Sequence, residues 1–232
     1  QRQMCIRDRA ATGYVKVVSF TGGEPFLAAD TFLPLAAYAA DVGLLVTAVT
    51  NAFWAVDEKT AVKILSSVPA LVSVAISADE YHQRAIPLER VGCAAAAARR
   101  LGICYSLTLC AEDPGSDASR RFYDQLLSFA DADDINVTTA FPVGRAARNV
   151  PRSRFPSDAE PSRSACWAAS SPVVLPDGRV IACIGPVVSL KVDHPLVLGD
   201  MRRETFEEIW ERAEVNAVLH ALRSWGPRKL VA

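Results

Sequence analysis

No stretch of this sequence is apolar over the roughly eighteen residues that a helical membrane span needs. An excess of charge of one sign is missing too. Lys and Arg number 25 against 26 Asp and Glu, which leaves a net charge of −1. Such a chain has no electrostatic footprint for nucleic acid or an anionic membrane, so neither is expected as a partner. Cysteine is sparse, with six residues in 232 and no dense, regular spacing. That excludes a small secreted disulfide scaffold and points to a reducing cytoplasm. The first residues have no apolar core of the signal-peptide kind. No short repeat is visible, and the only low-complexity tract is Ala94 to Ala98. What remains is a composition of 50% hydrophobic and 22% charged residues, suited to one or two globular domains.

Gln1-Arg2-Gln3-Met4-Cys5-Ile6-Arg7-Asp8-Arg9 has neither a hydrophobic period nor a cap, and residues 1–9 read as an extraneous or disordered segment. From Ala10 short apolar runs alternate with helical patterns. Val15 to Phe20, Leu44 to Val49, Val72 to Ile76, Ile103 to Leu109 and Ile135 to Thr139 read as buried strands. Between them, Phe32, Leu35, Ala36 and Ala39 form one helical face, with Asp30 or Thr31 as its cap and Pro34 in its first turn. Ala61, Ile64, Leu65 and Val68 form a second. Leu88 to Leu101 is an alanine-rich helix closed by Gly102, and Phe122, Leu126, Phe129 and Ala130 mark a fourth. Strands alternating with helices imply βαβ units and a parallel sheet.

Residues 145–163 hold Pro151, Pro156, Pro161 and five arginines without a helical period, and read as a solvated linker. Beyond it, Pro176-Asp177-Gly178 between two β-rich runs is a hairpin turn, and Leu196 to Gly199 adds a strand. Thr205-Phe206-Glu207-Glu208 is a capping box that opens a helix with Phe206, Ile209, Trp210 and Ala213 on one face. No clear stop follows Leu222.

The stretch carrying the strongest chemical signal is Val15 to Leu27. An apolar strand stops at Gly22-Gly23, where a backbone without Cβ can approach a ligand closely; Glu24 and Pro25 follow, and then a helix. Strand-Gly-Gly-Glu-Pro-helix resembles the radical S-adenosylmethionine (SAM) enzymes. The resemblance implies that Gly22, Gly23, Glu24 and Pro25 hold the methionine amino group of SAM. Thr50-Asn51-Ala52 stands where that family commonly has Thr-Asn-Gly. Ser77-Ala78-Asp79-Glu80-Tyr81-His82 matches a Ser-x-Asp-x-x-His pattern seen in parts of it. Asn51, Ser77 and Asp79 are therefore candidate contacts to the ribose and carboxylate of SAM, each with the alternative of a polar cap at the end of a strand. His82 is a candidate substrate or acid–base group beside the commoner structural role.

The fold this implies is α/β: a partial (β/α) barrel of the radical SAM type over residues 10–144, lacking its first unit. The linker follows, and residues 164–232 form a small hairpin-and-helix domain. The family's first unit carries Cys-x-x-x-Cys-x-x-Cys, which holds a [4Fe–4S] cluster. Here only Cys5 precedes Gly22, so the chain reads as a fragment of a longer parent. In the family, one-electron cleavage of SAM yields a 5′-deoxyadenosyl radical that abstracts hydrogen from the substrate, with an electron donor as partner. Cys166, eleven residues, Gly178, four residues and Cys183 resemble the opening of the SPASM or twitch extension, which holds an auxiliary iron–sulfur cluster. The Pro142-Val143-Gly144-Arg145-Ala146 run and the Leu198-Gly199-Asp200 … Glu207-Glu208-Ile209-Trp210 stretch share that resemblance. Cys166 and Cys183 are thus the candidate metal ligands, and such extensions imply a peptide or protein substrate. Cys93, Cys104 and Cys110 lie at no ligand spacing and read as core thiols. Two other classes stay open: a non-catalytic α/β binding module, and a zinc-stabilised structural protein.

Overall fold

The computed structural model describes Ile6, Gly13 and residues 15–155, 164–166, 170–190 and 193–230. The segment at 1–9 and Cys5 therefore lie outside the described residues, save Ile6, which is buried in the core. The chain divides into two compact units, Gln1–Ala140 and Phe141–Ala232.

The first unit is one sheet of five strands in sequential order: β1 (Val17–Phe20), β2 (Leu45–Thr50), β3 (Leu71–Ser77), β4 (Cys104–Ala111) and β5 (Ile135–Thr139). Every neighbouring pair is parallel. The helices between them are α1 (Ala29–Asp41), α2 (Glu58–Ser66), α3 (Leu88–Leu101) and α4 (Asp117–Leu126). Strands paired in chain order through crossovers of one hand receive all their helices on one face. Burial bears this out. Val18, Val46, Ala48, Val74, Ile76, Leu107 and Leu109 form one core with Phe32, Ala36, Leu65, Val91, Ala94, Phe122 and Leu126 of the helices. The result is the singly wound arrangement of a partial α/β barrel.

The opposite face of the sheet has a different composition. Register places Ser19 beside Thr47 and Ser73, Ser77 beside Thr108 and Asn136, and Cys110 beside Thr138. These side chains are half-buried or exposed. Parallel sheets are ordinarily covered on both faces. Among the described residues, the second face of this sheet carries these short polar groups together with Val17, Leu45, Val49 and Ala75, and no described helix of the unit packs on it.

Three expectations about local structure change. Asp30 and Thr31 do not cap α1. Glu24 accepts from the Phe26 N–H and caps a 3-10 turn, Pro25–Ala28, from which α1 continues directly. Pro34 consequently sits in the body of α1 rather than its first turn, where its missing N–H costs one helical bond. Cys104 is exposed rather than a core thiol, because it opens β4 on the uncovered face opposite Ser73; Cys93 and Cys110 are half-buried. The α3 boundaries are those read from the sequence, with Gly102 at φ 68° in the left-handed region where the chain leaves the helix.

The second unit begins with α5 (Ala146–Asn149) and a 3-10 turn at Arg152–Arg154, where the sequence suggested an irregular linker. Four helical residues are too few to show a hydrophobic period. Residues 156–163 of that linker lie outside the described set. Then come β6 (Val173–Val174), β7 (Arg179–Ile181) and β8 (Val197–Asp200), an antiparallel sheet in that order. Gly178 takes φ 91° in the hairpin turn, and the Leu175 N–H donates to the Arg179 carbonyl to close it. Helices α6 (Phe206–Glu214) and α7 (Ala217–Trp225) follow. The capping box forms on α6: Thr205 Oγ1 accepts from the Glu208 N–H and Glu208 Oε2 accepts from the Thr205 N–H. Helix α7 has no counterpart in the sequence reading. Only Val215 and Asn216 separate it from α6, and the Asn216 side chain caps it by accepting from the Val218 and Leu219 N–H groups. Val180, Ala182, Leu198, Ile209, Ala213 and Leu219 make the core of this unit.

Candidate functional site

The C-terminal ends of β1, β2 and β3 gather the candidate residues of the first unit. Gly22 and Gly23 take φ of 79° and 58° immediately after β1, and a Cβ placed on either would meet nothing within 4 Å. The turn is therefore an open backbone surface in a conformation that disfavours side chains. Glu24 does not point into that space. Its Oε1 accepts from Thr50 Oγ1 at 2.8 Å and its Oε2 from the Asn51 N–H at 2.7 Å. With the Phe26 N–H, the carboxylate holds three donors from two loops and staples the end of β1 to the end of β2.

Thr50 is the other half of that staple and is 2% exposed. Its hydroxyl donates to Glu24 and accepts from the Ala52 N–H at 3.1 Å and the Trp54 indole N–H at 2.9 Å. A buried hydroxyl with its donor and both lone pairs used is fully satisfied. Trp54 also stacks at 4.7 Å on Phe26 and so covers the staple. The sequence offered no sign of this role for Thr50 and Trp54, because it depends on a contact between residues 26 positions apart. Asn51 Oδ1 turns back onto the Phe53 N–H. Ala52 then adopts φ 60°, a left-handed conformation that glycine accepts at less cost, at the position where the resembling family has glycine.

After β3 the two remaining candidates part. Ser77 lies on the uncovered face beside Thr108. Asp79 is 2% exposed and turned onto its own loop. Its Oδ1 accepts from the N–H groups of Tyr81 and His82, both at 3.0 Å, and both carboxylate oxygens lie 2.9 Å from His82 Nδ1. Tyr81 donates its hydroxyl to Glu112 Oε1 at 2.5 Å, tying this loop to the end of β4. Burial pushes the Cys110 thiol up; a hydrogen bond with Thr138 opposes that shift and the nearby Asp79 charge adds to it.

In the second unit the candidate ligands are Cys166 and Cys183, both half-buried and both free thiols. The Cys166 N–H donates to the Leu222 carbonyl, which fixes it against α7. Cys183 follows β7 by two residues and is steadied by the Ala182 N–H on the Leu196 carbonyl. Burial pushes the Cys183 thiol up, and the charge of Cys166 adds to that shift. Gly199 of β8 lets α6 pack close: a Cβ there would lie 2.6 Å from Ile209 Cγ1 and 2.8 Å from Glu204 Oε1.

Residues 166–229 match the SPASM family, an iron–sulfur cluster-binding domain. That domain occurs in radical SAM enzymes. The match begins at Cys166, takes in Cys183 and the whole of the three-stranded sheet, and lies wholly within the second unit. No curated protein matches the chain.

The donor set fits an iron–sulfur cluster in kind but only in part. A cluster of this class takes four ligands, mostly thiolates, and Cys166 and Cys183 are two free thiols of the matched segment. Among the described residues, no group of three or more His, Cys, Asp or Glu side chains could hold a metal ion.

Proposed function

We propose that this chain is part of a radical SAM enzyme, the first unit holding SAM and the second an auxiliary iron–sulfur cluster. The observation that carries the reading is the open glycine turn at the end of β1, held in place by Glu24 from below, in a chain whose second unit matches a domain found in radical SAM enzymes. Gly22 and Gly23 offer backbone to the amino end of the cofactor. Glu24, Pro25 and Asn51 hold that backbone in shape, and Ser77 stands on the open face where a hydroxyl can reach a ribose. When bound beside a reduced [4Fe–4S] cluster, SAM supplies a 5′-deoxyadenosyl radical that abstracts a hydrogen atom. The cysteine triad for that cluster is not in this sequence, so no step is assigned to it here. A peptide or protein substrate accords with a SPASM-type extension.

The test is 5′-deoxyadenosine formation by the chain joined to its own upstream reading frame and reconstituted anaerobically. Gly23→Asn is the informative variant, because asparagine tolerates the left-handed backbone yet fills the open space. It is expected to abolish SAM cleavage while leaving the cluster spectrum intact. Cleavage at the parent rate would remove Gly22 to Pro25 from the cofactor site. For the second unit, anaerobic iron and sulfide loading of the whole chain should fall to background in the Cys166→Ala/Cys183→Ala double variant.

A further inference from the structure

The loop that carries Cys183 is held at both of its ends. Its own backbone sets where the sulfur sits. The Cys183 thiol donates to the Ile184 carbonyl at 3.5 Å, and a Cβ on Gly185 would lie 3.7 Å from Cys183 Sγ. The chain then makes one 3-10 turn, Pro186–Ser189, in which the Val188 N–H donates to the Gly185 carbonyl and the Leu190 N–H to the Val187 carbonyl. A single turn leaves its last carbonyls without partners inside the helix. Arg179 of β7 supplies them. Its Nη1 donates to the Leu190 carbonyl at 2.6 Å and its Nη2 to the Val188 carbonyl at 3.4 Å. Its Nε donates to Asp177 Oδ2 at 2.8 Å, and its backbone N–H to Asp177 Oδ1 at 3.1 Å. The Arg179 side chain is 24% exposed, so this fork is largely shielded from water.

We propose that Arg179 is the positioning residue for the Cys183 thiol, with Asp177 as its seat. The proposal deepens the reading of Cys183 as a cluster ligand and rests on it. A guanidinium is planar and carries five N–H donors in a fixed fork, so one that meets a carboxylate and two carbonyls at once has a single orientation. Through it the hairpin turn is joined to the far end of the loop. The Ala182 N–H on the Leu196 carbonyl holds the near end. Cys183 lies between these two fixed points, and the backbone around its sulfur is set before any metal arrives. A ligand arranged in advance spares the cost of ordering it at the moment of binding. Lysine is no substitute. Its ammonium is a compact donor on a flexible stem and cannot span the Val188 and Leu190 carbonyls while touching Asp177.

The experiment uses the whole chain, free of metal, with its Arg179→Lys and Asp177→Ala variants. Each thiol is alkylated with iodoacetamide under native, reducing conditions and followed by peptide mass. Arg179→Lys should speed alkylation of Cys183 by about threefold or more, because a loop that opens locally exposes its thiol. Cys166, fixed on α7, is the control within the same unit and should keep its rate. Asp177→Ala should act in the same direction and more weakly, since the fork still reaches both carbonyls. Anaerobic uptake of iron and sulfide by Arg179→Lys should fall about twofold or more. An unchanged Cys183 rate overturns the proposal. So do Cys166 and Cys183 speeding up together, which would make Arg179 a general brace of the unit, and so does unchanged uptake in a chain that loads through its cysteines. If the variants fail to fold, the parent decides. Its Arg179 Nε–H should exchange with water about tenfold more slowly than that of the exposed Arg120, and equal exchange overturns the proposal. Failure of the cluster reading looks different. Iron uptake would then be equal in the parent and in Cys166→Ala/Cys183→Ala, while the Cys183 rate still responds to Arg179 and the positioning role stands.

Discussion

Three donors converge on the Glu24 carboxylate, from Phe26, Thr50 and Asn51. Hydrogen bonds to a charged acceptor contribute about 1.5–3 kcal/mol each and leave a desolvation cost when one partner is removed. Glu24→Ala is therefore expected to lose about 2–3 kcal/mol of stability in urea unfolding, before any effect on ligand. Glu24→Gln should fall between, because its NH2 would face one of the three donors. A variant with no SAM chemistry and parent-like stability would show that the carboxylate touches ligand; a loss confined to stability would make it a staple only. Ala52 gives the opposite prediction. Its left-handed φ of 60° costs roughly 1–2 kcal/mol, partly offset by the buried methyl and by the greater chain entropy that glycine brings to the unfolded state. Ala52→Gly is expected to raise stability by about 0.5 kcal/mol, read as a shift in the urea midpoint at constant slope.

At the level of elements, the β8–α6 contact and the α6 cap hold the second unit together. Gly199→Ala would place a methyl against Ile209 and Glu204. Overpacking of that kind costs about 1–3 kcal/mol, so that variant should unfold at lower urea. Thr205→Ala removes one half of the capping box and should cost about 1 kcal/mol. The turn after β8 makes the unit acid-sensitive. Arg202 donates to both Asp200 oxygens and its own N–H donates to Oδ1, which holds the Asp200 carboxyl down at about 2. A carboxyl depressed on folding stabilises fully above its unfolded value, about 3.9, and loses that contribution as pH falls toward 2. Between pH 5 and pH 2.5 the parent should therefore lose more stability than Arg202→Gln. The difference should be small, and smaller still in 1 M salt, because the guanidinium is largely exposed.

For the first unit as a whole, the two ends of the sheet matter most. Among the described residues β1 is hydrogen-bonded only to β2, and β5 only to β4. Val17 on β1 is 45% exposed and its register partner Leu45 is 46% exposed. An unpaired, apolar strand edge is a template for pairing with another chain. The chain is expected to aggregate on concentration, and Val17→Lys should reduce light scattering without lowering the unfolding midpoint, since that side chain is not in the core.

Much of the architecture follows from local pattern. Alternating strand and helix runs, Gly102 after α3, the Pro176-Asp177-Gly178 hairpin and the Thr205 capping box are each specified by residues within a turn or two of one another, so the sequence by itself determined them. Helix α7 escaped because its start depends on one asparagine with no glycine or proline break before it. The site divides in the same way. Glycines able to approach a ligand are visible in the chain as written, and so are two cysteines spaced about a hairpin. What Glu24 and Asp79 do is not. Both are carboxylates at strand ends, and nothing local says whether such a group faces a ligand or turns inward. Tertiary structure decided it, by bringing Thr50 at the end of the next strand, and Asn51 just after it, to Glu24 and by burying Asp79 beneath its own loop. A buried carboxylate must find donors wherever the fold puts them, and those donors lie on whatever the fold packs against it.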